Sequence, residues 1–252
     1  MRVLITAGGT TEPIDGVRGV TNHSTGKLGA LIAQNFFNNG HEVDYITTKK
    51  SVLVKGKRKL HTHFIQTTED LKNTLENLMK EHKYDAVIHS MAVSDYRTRS
   101  AVSKEEFLNI AEEKLSKSDD IRQALNAAFE VLAGEFSTAK KMPSSAEELV
   151  VNMEKTPKII RQIKEWQPET ILVGFKLLVE VSVDELLRVG LKSLHENKAN
   201  FVLANDLMHI EGDNHLGLLI HPDGSYEISE TKQHIAKTIV KTVEHKARKI
   251  HE

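Results

Sequence analysis

The sequence predicts a Rossmann-like, doubly wound α/β fold: a mostly parallel sheet with helices on both faces, closed by a C-terminal β-hairpin and helix. Three observations predict it. Short apolar runs alternate with helical patterns, the rhythm of strand and crossover helix. The first run, Val3-Leu4-Ile5, breaks into a glycine turn, Thr6-Ala7-Gly8-Gly9-Thr10-Thr11, and a helical pattern begins near Ser24. A strand, a glycine turn and a helix start are how such folds present amides to a phosphate. Finally, 39% hydrophobic and 27% charged residues is the composition of a globular protein.

The elements follow in order. Gly26 to Asn39 reads as a helix, with Leu28, Leu31, Ile32 and Phe36 on one face and Gly40 ending it. His41 to Thr47 alternates like a strand, and Val52 to Lys59 is a basic loop. His63 to Gln66 reads as a further strand, and Thr68 as the N-cap of a helix through Leu71, Leu75 and Leu78. Tyr84 to Ser90 is a buried-type strand. The rhythm breaks after Tyr96, where a charged stretch carries surface helices at Glu105 to Leu115 and Ile121 to Leu132. It resumes at Glu148 to Met153, with a helix capped by Thr156 and started by Pro157. Thr170 to Phe175 and Asn200 to Ala204 are strands, with an amphipathic helix at Val183 to Glu196 between them. Leu216 to His221 and Tyr226 to Ile228 form a hairpin, and Lys232 to Ile250 is the closing helix. With no clean linker and no internal repeat, residues 1–252 are expected to form a single α/β domain with a helical, mobile insertion at about 97–146.

Charge and composition exclude several functions. A net charge of −1 gives no case for nucleic acid or an anionic membrane. No apolar run approaches the roughly 20 residues that span a bilayer. The absence of cysteine excludes disulfides, thiolate nucleophiles and cysteine-ligated zinc, and a cytoplasmic protein is expected. His61 and His63 lack a second cluster, so no metal ligands are assigned. The amino-terminal stretch matches neither standard phosphate motif. Gly8-Gly9 followed by Gly16 and Gly19 does not give G-x-G-x-x-G, and Thr25-Gly26-Lys27 reverses the end of a P-loop.

Polar and small residues collect where strands end: Thr6 to Thr10, Ser90 to Asp95, Gly174 to Lys176 and Ala204 to Asp206. In open α/β sheets that edge holds the ligand. The segment Ile5 to Asp15, with Val17-Arg18 and Thr21 to Gly29, closely resembles the phosphopantothenoylcysteine synthetase (phosphopantothenate–cysteine ligase) family. So do Met91-Ala92-Val93-Ser94-Asp95-Tyr96, Lys155-Thr156-Pro157-Lys158-Ile159, Val173-Gly174-Phe175 and Ala204-Asn205-Asp206. The resemblance spans nearly the whole chain and lacks the fused decarboxylase half of many bacterial members, as in the stand-alone bacterial form.

The resemblance implies an activity. The family activates the carboxylate of 4′-phosphopantothenate with a nucleoside triphosphate, then forms an amide with L-cysteine. Bacterial members use CTP, the expected nucleotide here, and eukaryotic ones ATP, with Mg²⁺ on the triphosphate. Both a homodimer and a monomer stay open. Asn22 is implied as the residue that handles the acyl intermediate, and Lys141 as the cation of carboxylate activation, with Lys140 as the fallback. Gly8, Gly9, Thr10, Ala92, Asp95, Pro157, Lys158, Ile159 and Phe175 are implied to bind nucleotide. Ser24, Thr25 and Gly26 are implied to bind phosphopantothenate. Members carry two triphosphate-binding lysines spaced four apart. Lys192 matches the first, Glu196 stands at the second, and Lys198 is nearby.

The physics is compatible, because two anions must meet and amides and cations let them. Two rivals remain: an NAD(P)-dependent Rossmann oxidoreductase, and a non-catalytic nucleotide- or flavin-binding module. Against the first stand the missing fingerprint and the lack of an acidic residue ending the second strand, at Ile46-Thr47-Thr48.

Overall fold

A computed structural model describes residues 1–135 and 146–251. The chain runs β1 (Arg2–Thr6), β2 (Thr11–Pro13), β3 (Gly19–Thr21), α1 (Lys27–Asn38), β4 (Glu42–Thr47) and β5 (Leu60–Phe64). It continues α2 (Thr68–Glu81), β6 (Ala86–His89), β7 (Tyr96–Ser103), α3 (Lys104–Leu115), α4 (Ile121–Glu135) and β8 (Leu149–Lys155). It ends α5 (Ile159–Trp166), β9 (Ile171–Leu178), α6 (Val183–Glu196), β10 (Phe201–Glu211), β11 (Asn214–Ile220), β12 (Tyr226–Thr231) and α7 (Lys232–His251). Two compact units form: residues 1–10, 23–93 and 158–252, and residues 11–22 and 94–157. The insertion expected at about 97–146 lies inside the second unit, which also takes in residues 11–22.

The first unit is the expected doubly wound sheet. Its strand order is β12-β11-β10-β9-β6-β1-β4-β5. The strands from β10 to β5 pair in parallel, and β11 and β12 add an antiparallel hairpin. Read from β5, the parallel strands run third, second, first, fourth, fifth, sixth, so the order reverses between β1 and β6. That reversal is the switch point where ligands bind. Alternation along each strand feeds two cores. Val3, Ile5, Ile88 and Val173 pack with Ile32 and Phe36 of α1 and Ile239 and Val243 of α7. Leu4, Val87, Leu172 and Val202 pack with Leu71 and Leu75 of α2, Ile163 of α5 and Leu186 and Leu194 of α6. Among the described residues no helix is long and apolar enough to cross a membrane.

At the amino ends of the strands Asp44 is buried in a polar cluster. Its carboxylate accepts from Arg2 Nε (3.1 Å) and Nη2 (3.0 Å) and from Tyr84 Oη (2.9 Å), and lies 2.8 Å from His63 Nε2. Burial alone would raise its pKa. The bonds from His63, Tyr84 and Arg2 win and hold it at about 2.

The second unit has its own small core. β2 and β3 form an antiparallel ribbon, and β7 and β8 form another. Glu154 on β8 lies 2.7 Å from Arg97 Nε and 3.8 Å from Arg99 Nε, both on β7. Above the ribbon α3 and α4 pack through Phe107 and Phe129, centroids 5.4 Å apart, over buried Ala111, Ala124, Ala128 and Leu132.

Several boundaries differ from expectation. The stretch Glu148 to Met153 is a strand, but it pairs with β7 and not with the large sheet. β7 has no strand signal of its own in the sequence, because its arginines look like loop charges until Glu154 faces them. Helix α5 starts at Ile159 with Lys158 as N-cap and no side-chain cap, so Thr156 and Pro157 are not its cap and first residue. The Thr156 hydroxyl donates instead to Ser94 O at 2.6 Å. Thr67, not Thr68, caps α2, in a capping box with Asp70. The strand expected from His63 is β5, three residues earlier, at Leu60–Phe64.

Candidate functional site

The switch point is built from the two turns that leave β1 and β6. Ser90 Oγ donates to Thr6 O (2.6 Å), and Thr6 Oγ1 lies 3.0 Å from His89 Nδ1. Ala7 is pinned to β4 on both sides: its N–H donates to Ile46 O, and its carbonyl accepts from Thr47 Oγ1. Gly8 then turns with φ of 96°, which L side chains rarely adopt. Beyond the sheet the two segments stay zipped. Ala92 N–H donates to Gly8 O (2.8 Å), and Thr10 N–H donates to Ala92 O (3.1 Å). Gly8, Gly9, Thr10 and Ala92 are therefore together at the ligand edge. Thr10 has its amide committed to Ala92.

Three glycines bring α1 onto this turn. Gly26 is its N-cap, at φ 70°, with no side-chain cap. A Cβ on Gly26 would lie 3.0 Å from Gly8 N, and one on Gly29 would lie 2.5 Å from Ala7 Cβ. These are the jobs of the glycines in G-x-G-x-x-G: a tight turn, a close backbone approach, and close packing of helix on strand. Gly26-Lys27-Leu28-Gly29 keeps the last spacing, and residues 9–25 separate it from Gly8. Linear spacing hid the motif, and Gly29 was missed with it. Its signal was the G-x-x-G that opens a helix.

Ser24 and Thr25 lie on the approach to Gly26, both exposed. The turn after β4 is fastened to them, as Val52 N–H donates to Thr25 O at 3.0 Å. Lys158 and Ile159 open α5, and Phe175 sits on β9 just past the row where His89 meets Gly174. Lys192 is exposed near the end of α6, 3.8 Å from Glu196, which also lies 3.4 Å from Arg161. Lys198 follows in the turn that enters β10. Both lysines are at the amino-end side of the sheet, where α6 returns to the start of β10.

In the second unit, Asn22 is half-buried just past β3. Its loop is shaped by buried Asp15, whose carboxylate accepts from the amides of Val17 and Arg18 (2.8 Å each) and from the Arg18 guanidinium. Asp15 and Arg18 carry no motif signal of their own beyond this Asp-x-x-Arg spacing, which is that of an Asx turn closed by an ion pair. Asp95 is exposed, and its carbonyl accepts from Thr156 N–H at 3.0 Å, next to Pro157. Lys141 and Lys140 lie outside the described residues. Asp206, within the Ala204-Asn205-Asp206 block, holds a loop: its carboxylate accepts from the amides of Glu180, Val181 and Met208. Those bonds lower its pKa.

Comparison with known proteins agrees with this fold. The model of the DNA/pantothenate metabolism flavoprotein C-terminal domain matches residues 1–134 and 105–246. The chain is 31% identical over 96% of its length to the coenzyme A biosynthesis bifunctional protein CoaBC of Thermococcus kodakarensis, covering 51% of that protein. It is 24% identical over 72% of its length to the phosphopantothenate–cysteine ligase CAB2 of Saccharomyces cerevisiae, covering 58% of that protein. The chain thus spans about half the length of the curated relatives it matches. A crystal structure of the DNA/pantothenate metabolism flavoprotein from Streptococcus pneumoniae superposes with a TM-score of 0.81 at 35% identity, covering 97% of this chain and 99% of that one.

Proposed function

The chain belongs to the DNA/pantothenate metabolism flavoprotein C-terminal domain family, and we propose that it is a phosphopantothenate–cysteine ligase acting in the cytoplasm. The observation that carries this reading is the switch point. There three glycines bring the amino end of α1 to the β1 turn, an arrangement for gripping phosphate. A phosphopantothenate carboxylate oxygen attacks the α-phosphorus of the nucleotide, and pyrophosphate leaves. The cysteine amine then attacks the acyl carbon, loses a proton and expels the nucleoside monophosphate.

In this proposal Ser24, Thr25 and Gly26 take phosphopantothenate. Gly8, Gly9, Thr10, Ala92, Asp95, Pro157, Lys158, Ile159 and Phe175 serve the nucleotide, whereas Lys192 and Lys198, at the opposite end of the sheet from the glycine turn, are given no part in it. Asn22 donates to the acyl oxygen without adding charge, and Lys141 offsets the charge gathered when carboxylate meets α-phosphate. CTP is the proposed nucleotide. Among the described residues no group of three His, Asp or Glu is placed to hold a metal. Mg²⁺ would enter with the nucleoside triphosphate and offset the charge of its oxygens.

The test supplies phosphopantothenate, cysteine, Mg²⁺ and either CTP or ATP and follows pyrophosphate. Turnover with CTP is expected, and none with either nucleotide sinks the proposal. Lys141→Gln should slow acyl-nucleotide formation and Asn22→Asp the use of the intermediate, each by about 100-fold. Normal turnover by both removes them from the mechanism.

A homodimer belongs to the same reading. The irregular pairing of β10 with β11 between Asn205 and Ile210 leaves Leu207 and Met208 at 48% and 66% exposure. A second copy would cover them. Sedimentation at micromolar concentration should find a dimer, and a monomer there rejects it.

A further inference from the structure

In a sheet of this order the loop after the second parallel strand faces the ligand, and in dinucleotide folds it reads the ribose or its phosphate. Here that strand is β4, and the loop is Thr48-Lys49-Lys50-Ser51. It is a fastened turn. Ser51 N–H donates to Thr48 O at 3.1 Å, and the two hydroxyls are 2.8 Å apart. Tyr45 Oη donates to Val52 O at 2.9 Å, and Val52 N–H donates to Thr25 O at 3.0 Å. Buried Ser51 closes against both glycines. Its Oγ is 2.1 Å from where a Gly8 Cβ would be, and its Cβ is 3.2 Å from where a Gly26 Cβ would be.

The middle of this turn is Lys49-Lys50, both exposed. Neither has an ion-pair partner among the described residues. Adjacent like charges repel, and the first turn of α1 supplies no acid to offset them. The other lysine at this helix end, Lys27, is paired with Asp213 at 2.6 Å. The turn that is bonded to Thr25 through Val52 and closes on Gly26 through Ser51 therefore carries uncompensated positive charge, and a dianionic phosphate monoester is the ligand group that fits it.

We propose that Lys49 and Lys50 are specificity-determining residues that select the phosphate monoester of phosphopantothenate over the unphosphorylated compound. The inference rests on the ligase reading, which supplies the substrate. Because the turn is bonded to Thr25, it commits to the monoester and not to the nucleotide's triphosphate.

The experiment compares the wild-type chain with Lys49→Gln, Lys50→Gln and the double variant. In the double variant KM for phosphopantothenate should rise about 10-fold or more. The values for nucleotide and cysteine should stay put, kcat should move less than about twofold, and preference over pantothenate should fall by the same factor. Lys-to-Arg changes should keep wild-type selectivity. Calorimetric binding of phosphopantothenate reads the same loss without turnover. Unchanged phosphopantothenate binding overturns the inference, as does a rise confined to the nucleotide KM. A wild-type chain that turns over neither nucleotide, yet binds phosphopantothenate through these lysines, overturns the ligase reading and keeps the inference.

Discussion

Replacing Gly29 with alanine is expected to lower folding stability by about 3 kcal/mol, although alanine is the better helix former by about 1 kcal/mol. The added Cβ would lie 2.4 Å from Ser90 Oγ and 2.5 Å from Ala7 Cβ. Neither neighbour yields readily. Ser90 Oγ is tied to Thr6 O, and Ala7 is pinned to β4 through both backbone groups. Helix α1 must back away, and its buried Ile32, Ala33 and Phe36 back away from the sheet with it. The same movement lifts Gly26 off Gly8, so substrate affinity should fall together with stability. Gly134 in α4 is the control, since among the described residues nothing lies within 4 Å of its missing Cβ. There alanine should stabilise by up to about 1 kcal/mol. Urea midpoints of both variants decide the matter. A Gly29→Ala midpoint at or above wild type would mean that the contact is not tight.

What could be read in advance divides along physical lines. The parallel sheet was legible because each of its strands carries its own burial signal, and Tyr84 to Ser90 reads as buried without reference to any partner. β7 was not legible, since its character depends on a partner strand that follows far along the chain, where Glu154 meets Arg97 and Arg99. Caps failed for a related reason. Thr156 has the right residue type, but its hydroxyl had a competing acceptor in Ser94 O, which local sequence does not show. Within the candidate site the glycine turn was legible by type and misjudged by spacing. The jobs of Gly8, Gly26 and Gly29 are set by distance in space, and an insertion leaves that distance intact. Lys192 and Lys198 show the converse. Their spacing was compared along a helix, and only the topology places that helix end at the amino-end side of the sheet.

Moving from pH 7 to pH 5 is expected to cost the fold about 4 kcal/mol, from two histidines. His89 is buried at the end of β6 and His215 is buried in β11. Burial lowers both pKa values to about 4, with Lys232 adding to the effect at His215. The unfolded chain takes up these protons near pH 6.5, and the folded chain resists until about pH 4. Stability from each group is therefore complete above pH 6.5 and is lost as pH falls from 6.5 to 4. At pH 5 the loss is about 2 kcal/mol per histidine. Asp44 extends the slope lower. Its stabilising contribution is present above the ordinary carboxylate value and is lost as pH falls through its folded value of about 2. His215 separates the two histidines, because neither ring nitrogen has a hydrogen-bond partner among the described residues. Filling its place with leucine removes two buried unsatisfied groups, so His215→Leu should gain about 1 kcal/mol at pH 7 and halve the loss between pH 7 and 5. Urea midpoints across that range, at constant m-value, measure both effects. A flat wild-type profile would show that His89 and His215 titrate alike in the folded and unfolded chain. A wild-type slope kept by His215→Leu would assign the loss elsewhere.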